Sequence, residues 1–115
     1  MHAQQMISSH PHVQGGTNDA LIRCIEDCYD CSQTCTSCAD ACLGEARVAE
    51  LVQCIRTCLD CADVCLTTGL VSTRRTGSNE NLIAAQLDAC ETACRLCAEE
   101  CEQRSAEHTS ELQSH

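Results

Sequence analysis

From residue 19 onward, positions suited to an interior recur on a beat of three and four residues, and most of them are cysteine. Residues 24–42 read CIEDCYDCSQTCTSCADAC, with cysteine steps of 4, 3, 4, 3 and 4, and the beat returns in CIRTCLDCADVC at 54–65 and CETACRLCAEEC at 90–101. At about 100° per residue, steps of four and three turn the direction by about +40° and −60°, so the first run stays within an arc of roughly 80°. Its six cysteines form one seam, and Glu26, Asp27, Asp30, Ser32, Gln33, Thr34, Thr36, Ser37 and Asp40 between them fall on the wet side. This is the a/d pattern of a helix-bundle core with Cys where Leu is usual.

Local punctuation predicts three long helices. Thr17, Asn18 and Asp19 are N-cap candidates for a helix to about Leu43, where Gly44 supplies a stop or tight turn. A second helix is expected from about Ala46 to Thr73, weakened near its end by Gly69 and closed by TGS at 76–78. Ser78 or Asn79 caps a third, which continues to about Ser105. Residues 1–16, with Pro11 and Gly15-Gly16, read as a polar arm of loop or irregular structure, residues 17–106 as the bundle, and 107–115 as a tail. Three helices on short connections pack as antiparallel neighbours, so the expected fold class is all-α, an antiparallel bundle of the four-helix type. The hydrocarbon residues Leu21, Ile22, Ile25, Val48, Leu51, Val52, Ile55, Leu59, Leu82, Ile83 and Leu87 flank the seam and are assigned to core or subunit packing.

Composition changes this picture in one respect. The 115 residues, one domain by length, contain 14 Cys, a single Tyr, and neither Phe nor Trp. Cys buries less apolar area than Leu or Phe, so a core built on it is weak unless something ties it. A secreted disulfide scaffold is the first alternative. The opening MHAQQMISSHPHVQGG argues against export, having neither a basic start nor an apolar run nor a small-residue cleavage site. The expected compartment is the reducing cytoplasm, where thiols stay thiols and bind metals. No segment approaches the apolar length of a membrane span. Net charge is −10, from 17 acids against 7 bases that are all Arg. Phosphate recognition needs a basic patch, so a nucleic-acid partner, and with it a DNA-binding metal sensor, is disfavoured.

Thiols on neighbouring turns sit about 5 to 6 Å apart at Cβ, close enough for two sulfurs to turn toward one ion. Consecutive steps share cysteines, which predicts a chain of bridged ions rather than separate cages. Adjacent seam thiols point outward in parallel, a poor geometry for a disulfide within one helix. Each four-thiolate zinc site leaves two negative charges, and stacking several in a narrow bundle without Lys is costly. A monovalent soft ion matched by about one thiolate keeps the interior near neutral, and Cu(I) fits that description. The metal ligands are therefore expected to be Cys24, Cys28, Cys31, Cys35, Cys38, Cys42, Cys54, Cys58, Cys61, Cys65, Cys90, Cys94, Cys97 and Cys101, holding multiple Cu(I) ions.

A zinc–thiolate buffer and an iron–sulfur protein are the alternatives. Against the latter, the run C-x2-C-x2-C-x3-C-P is absent, and every Cys falls on helical period although cluster ligands are usually presented by loops. No general base or open metal site stands out, so no catalytic turnover is expected. Met6, His10 and His12 lie ahead of the first Cys helix and His108 follows the last; these four are candidates for passing metal into the bundle mouth.

The stretches ALIRCIEDCYDCSQTCTSCADACL, VAELVQCIRTCLDCADVCL and ACETACRLCAEECE, with the leader MHAQQMISSHPH, resemble the cytosolic branch of the bacterial copper storage proteins, once grouped as cysteine-rich ferredoxin-like. The resemblance covers roughly residues 1 to 108. It implies a four-helix bundle storing many Cu(I) ions, commonly a tetramer, with His residues near one mouth, and a copper donor and acceptor it does not name. The chain departs from the family at its end. Members continue into a further helix of the type HCxxCAxxCxxCxxxC, whereas this sequence ends EHTSELQSH, which resembles translated adaptor sequence and contains no Cys. The resemblance thus leads to the expectation that one wall of the tube is missing, so that the chain either recruits a helix from a neighbouring copy or binds less metal than its relatives.

Overall fold

The computed structural model describes residues 3–12 and 18–113, with side chains described through Arg104. Among these residues four α-helices follow in order: α1 Ala3–Ser8, α2 Asp19–Leu43, α3 Val52–Thr73 and α4 Glu80–Gln113, with a 3-10 turn Val48–Leu51 leading into α3. The all-α bundle expected from the cysteine period is what forms. Helix α3 lies at its centre, with α2 and α4 each packed along it. Among the described residues α2 and α4 do not pack extensively on each other.

The boundaries follow local chemistry. The Asn18 side-chain oxygen accepts from the Leu21 N–H at 3.2 Å, satisfying one of the unpaired donors of the first turn of α2. At the other end the Gly44 N–H returns to the Ala41 carbonyl at 3.1 Å. The α3–α4 connection turns at Gly77, whose φ of 76° lies in the left-handed region that costs a residue with a Cβ energy.

Three expectations need correction. Residues 3–8 are helical, not loop, because Ala3 and Ile7 are buried against Ile22 and Ile25 of α2, with Leu21 and Tyr29 at the edge. The regular α-helix of the second segment starts at Val52 after the 3-10 turn, six residues later than Ala46. Helix α4 runs on past Ser105 to Gln113. Of the hydrocarbon residues assigned to packing, Ile22 and Ile25 are buried, whereas Val52, Leu59, Leu82 and Leu87 are exposed.

Gly69, expected only to weaken α3, is a contact point. A Cβ there would lie 3.0 Å from two ring carbons of Tyr29, so its absence lets the ring lie flat on the helix. The Tyr29 hydroxyl is 3.4 Å from Thr73 Oγ1. A second polar tie joins α3 to α4, where Gln86 Nε2 donates to the fully buried Thr68 Oγ1 at 3.1 Å.

Candidate metal centre

Because α3 is flanked on both sides, its four cysteines, Cys54, Cys58, Cys61 and Cys65, are only 1% to 4% exposed. On α2, Cys28 and Cys35 are buried and Cys24, Cys31, Cys38 and Cys42 half-buried; on α4, Cys97 is buried and Cys90, Cys94 and Cys101 half-buried. The spacing argument holds on all three helices, since each run faces inward. All fourteen are free thiols.

Their sulfurs meet in successive layers along the bundle. Near the start of α2, Cys65 Sγ lies 3.6 Å from Cys90 Sγ. Next comes a group of four, Cys31, Cys61, Cys65 and Cys94, followed by Cys35, Cys61 and Cys97 and then by Cys38, Cys58 and Cys101. Cys54 Sγ, 3.6 Å from Cys101 Sγ, continues the row toward the start of α3. Layers run into one another through Cys61, which belongs to two groups, and through Cys58, 3.6 Å from Cys97 and 3.9 Å from Cys101. Within single helices the four-residue steps Cys31–Cys35 and Cys61–Cys65 both measure 3.8 Å. Sulfurs sharing one soft ion at roughly 2.3 Å per bond lie about 4 Å apart, so the row is spaced for bridging metal without rearrangement of the helices.

Burial sets the protonation of these thiols. Desolvation first, and neighbouring thiols after it, push Cys42 up to about 11 and Cys35 and Cys101 up to about 12. Cys28, Cys58, Cys61, Cys65 and Cys94 are raised with the same leading cause. Cys31 goes the other way. Burial opposes its thiolate, but hydrogen bonds from Cys65, Cys61, Cys35 and Cys94 outweigh that and hold it below the usual thiol value. A metal entering this row must displace protons from most of its ligands.

Met6 projects from α1 and is 52% exposed. His10 and His12 follow it with ring centroids 5.7 Å apart. The His12 N–H donates to His10 Nδ1 at 3.0 Å, which leaves the proton of a neutral His10 ring on Nε2, 3.4 Å from Thr76 Oγ1 in the α3–α4 connection. The arm therefore rests at the bundle end where α2 begins, but neither histidine belongs to the three thiol groups. His108 lies on α4 at a position whose side chain falls outside the described residues.

Sequence reasoning missed a groove of about 430 Å³ beside the first layers, lined by Ala20, Arg23, Cys24, Asp27, Cys28, Cys31, Cys65, Cys90 and Cys94.

A helical bundle whose interior is a continuous row of thiols defines a class, the multi-thiolate metal stores. A family model described as copper storage protein matches residues 17–113. The structure is similar to that of the copper storage protein Ccsp from Streptomyces lividans loaded with 10 copper equivalents, at 46% identity and a TM-score of 0.84, over 90% of this chain and 80% of that one. A histidine-to-alanine mutant of the same Streptomyces lividans Ccsp is 50% identical with a TM-score of 0.75, over 81% of this chain and 78% of that one. The structure described as copper loading to a cytosolic copper storage protein from the same organism (five coppers) is 51% identical with a TM-score of 0.74, covering 76% and 73%. A sequence comparison with curated proteins gives no match. The chain belongs to the copper storage protein family.

Proposed function

We propose that this chain stores multiple Cu(I) ions on the thiolates of Cys24, Cys28, Cys31, Cys35, Cys38, Cys42, Cys54, Cys58, Cys61, Cys65, Cys90, Cys94, Cys97 and Cys101. The observation that carries the reading is the unbroken row of sulfurs from three helices, with neighbours 3.5 to 3.9 Å apart. Two- and three-coordinate sites for a monovalent soft ion occur at every layer, and one thiolate per ion keeps the buried row near neutral. The role is holding and releasing copper rather than turnover. The family match and the copper-loaded Streptomyces relative support the same cargo.

Residues 17–106 form the copper-holding bundle, and Met6, His10, His12 and His108 pass copper to the row from its ends. Support for the first three comes from the placement of the arm against the α3–α4 connection. The protein works in the cytoplasm, exchanging copper there with a donor and an acceptor. The relative described as cytosolic supports this compartment, and no helix among the described residues is long and apolar enough to cross a membrane. Copies of the chain associate into a homo-oligomer, a tetramer by family resemblance. The exposed Leu59, Leu66 and Leu70 on α3 and Leu82 and Leu96 on α4 supply apolar surface for it.

The test is an anaerobic titration of the fully reduced protein with Cu(I) against a chromophoric chelator. Uptake approaching one ion per Cys is expected. Saturation at one or two ions, or a coloured iron–sulfur product with Fe(II) and sulfide, would overturn the reading.

A further inference from the structure

The layers of the thiol row are not equivalent. Cys38, Cys58 and Cys101 form a triangle, as do Cys35, Cys61 and Cys97, but Cys31, Cys61, Cys65 and Cys94 bring four sulfurs within 4.8 Å of one another. Five of the six edges of this group are short: Cys31–Cys61 3.7 Å, Cys31–Cys94 3.9 Å, Cys61–Cys65 3.8 Å, Cys61–Cys94 3.6 Å and Cys65–Cys94 3.5 Å. A tetrahedral ion with metal–sulfur bonds of about 2.3 Å requires edges of about 3.8 Å. The thiols thus stand near the corners of a zinc tetrathiolate before any ion is present. Cu(I), which favours two or three sulfurs, has no need of a fourth at the same distance.

We propose that Cys31, Cys61, Cys65 and Cys94 form a tetrahedral site for one divalent d10 cation, Zn(II), in the copper-free protein. The inference takes the copper-store reading as its frame and assigns this layer a second cargo. The four ligands come from α2, α3, α3 and α4, so one ion fastens both outer helices to the central one. That matters because, among the described residues, α2 and α4 lack extensive packing of their own. Charge limits the number to one. Four thiolates on a divalent ion leave a charge of −2, which several stacked sites could not tolerate, but a single site next to the groove, whose wall carries both Arg23 and Asp27, has solvent access to screen it. Loading with Cu(I) displaces the ion, because copper binds thiolate more tightly than zinc does and the row offers it more sites.

Co(II) is the probe, since a tetrahedral tetrathiolate gives intense visible d–d bands together with sulfur-to-cobalt charge transfer whose intensity scales with the number of thiolates. The reduced, copper-free full chain is titrated with Co(II), then with Zn(II), then with Cu(I). Expected are saturation at one Co(II) per chain with the tetrathiolate spectrum, its loss on adding one equivalent of Zn(II), release of that zinc by Cu(I), and a higher Tm for the zinc form than for the empty form. Cys31→Ser and Cys94→Ser should each lose the tetrathiolate bands while retaining helical circular dichroism, and Cys38→Ser should keep the bands. Two or more equivalents of tightly bound Co(II), a spectrum without tetrathiolate bands, or bands that survive Cys94→Ser would overturn the proposal. The final Cu(I) step separates it from the storage reading. Absent Co(II) bands with full copper uptake refute only the zinc site, and Co(II) bands with copper uptake of one or two ions refute only storage.

Discussion

Two clusters of buried side chains hold this bundle, and they are made of different material. Where α1 folds onto α2, Ala3, Ile7, Ile22 and Ile25 make a small hydrocarbon cluster edged by Leu21 and Tyr29. Along most of the remaining length the interior is Cys35, Cys54, Cys58, Cys61, Cys65 and Cys97 with Ala39 and Ala62, and half-buried thiols pack around it. Hydrocarbon burial stabilises the fold whatever the solution contains, at about 25 cal/mol per Å² of apolar surface. A thiol interior contributes less by burial, and its contribution depends on whether the sulfurs carry protons or metal. One region therefore keeps the fold, and the other can be emptied and refilled.

The comparison breaks most visibly at Ile25, which is fully buried. Ile25→Ala should cost about 2 to 5 kcal/mol in the empty and the copper-loaded protein alike, with the number of copper ions per chain unchanged. Cys58→Ser is the opposite case. It should lower copper capacity while changing the stability of the empty form by only about 1 kcal/mol. Thermal unfolding and metal analysis of the two variants, empty and loaded, check both expectations.

A smaller effect is expected where the two regions join. Gly69→Ala places a methyl 3.0 Å from the Tyr29 ring, and shifting the ring off α3 should cost about 1 to 3 kcal/mol. Pairing it with Tyr29→Leu should recover part of the loss, which a double-mutant cycle on Tm values would reveal.

The last comparison separates the regions by pH. Desolvation and neighbouring thiols raise Cys42 from about 9 to about 11 and Cys35 and Cys101 to about 12, so the folded state holds protons that the unfolded chain has already lost. Stability is thus complete below about pH 9 and falls as pH rises through the folded values. Between pH 8 and 10 the copper-free protein should lose Tm, and the copper-loaded protein, whose thiolates are already formed, should lose less. Copper retention runs in the reverse direction. Protons compete for the same sulfurs, so a chelator should strip copper more readily as pH falls.

Much of this arrangement was legible in the sequence, and the limits have physical reasons. Steps of three and four fix which face of a helix a residue shares, so the seam on each of α2, α3 and α4 could be read directly, as could the Asn18 cap and the end of α3 at Thr73. Period within one helix says nothing about the axial offset between helices. That Cys31 meets Cys61, Cys65 and Cys94, and that Cys38 meets Cys58 and Cys101, follows from the register of α2 and α4 along α3, which only the folded chain supplies. Helix α1 escaped for a related reason, its six residues AQQMIS being too few to display a period. Contact with Ile22 and Ile25 decides its structure. The exposed Leu59 and Leu82 show the same limit from outside, since an apolar side chain is readable in sequence but the absence of a neighbour over it is not.

The most direct test of the central claim is anomalous diffraction at the copper edge from crystals of the Cu(I)-loaded protein. The account requires a row of copper peaks running between α2, α3 and α4, each within bonding distance of two or three of the fourteen sulfurs. Peaks confined to His10, His12 or surface carboxylates, with the thiol row free of copper, would contradict it.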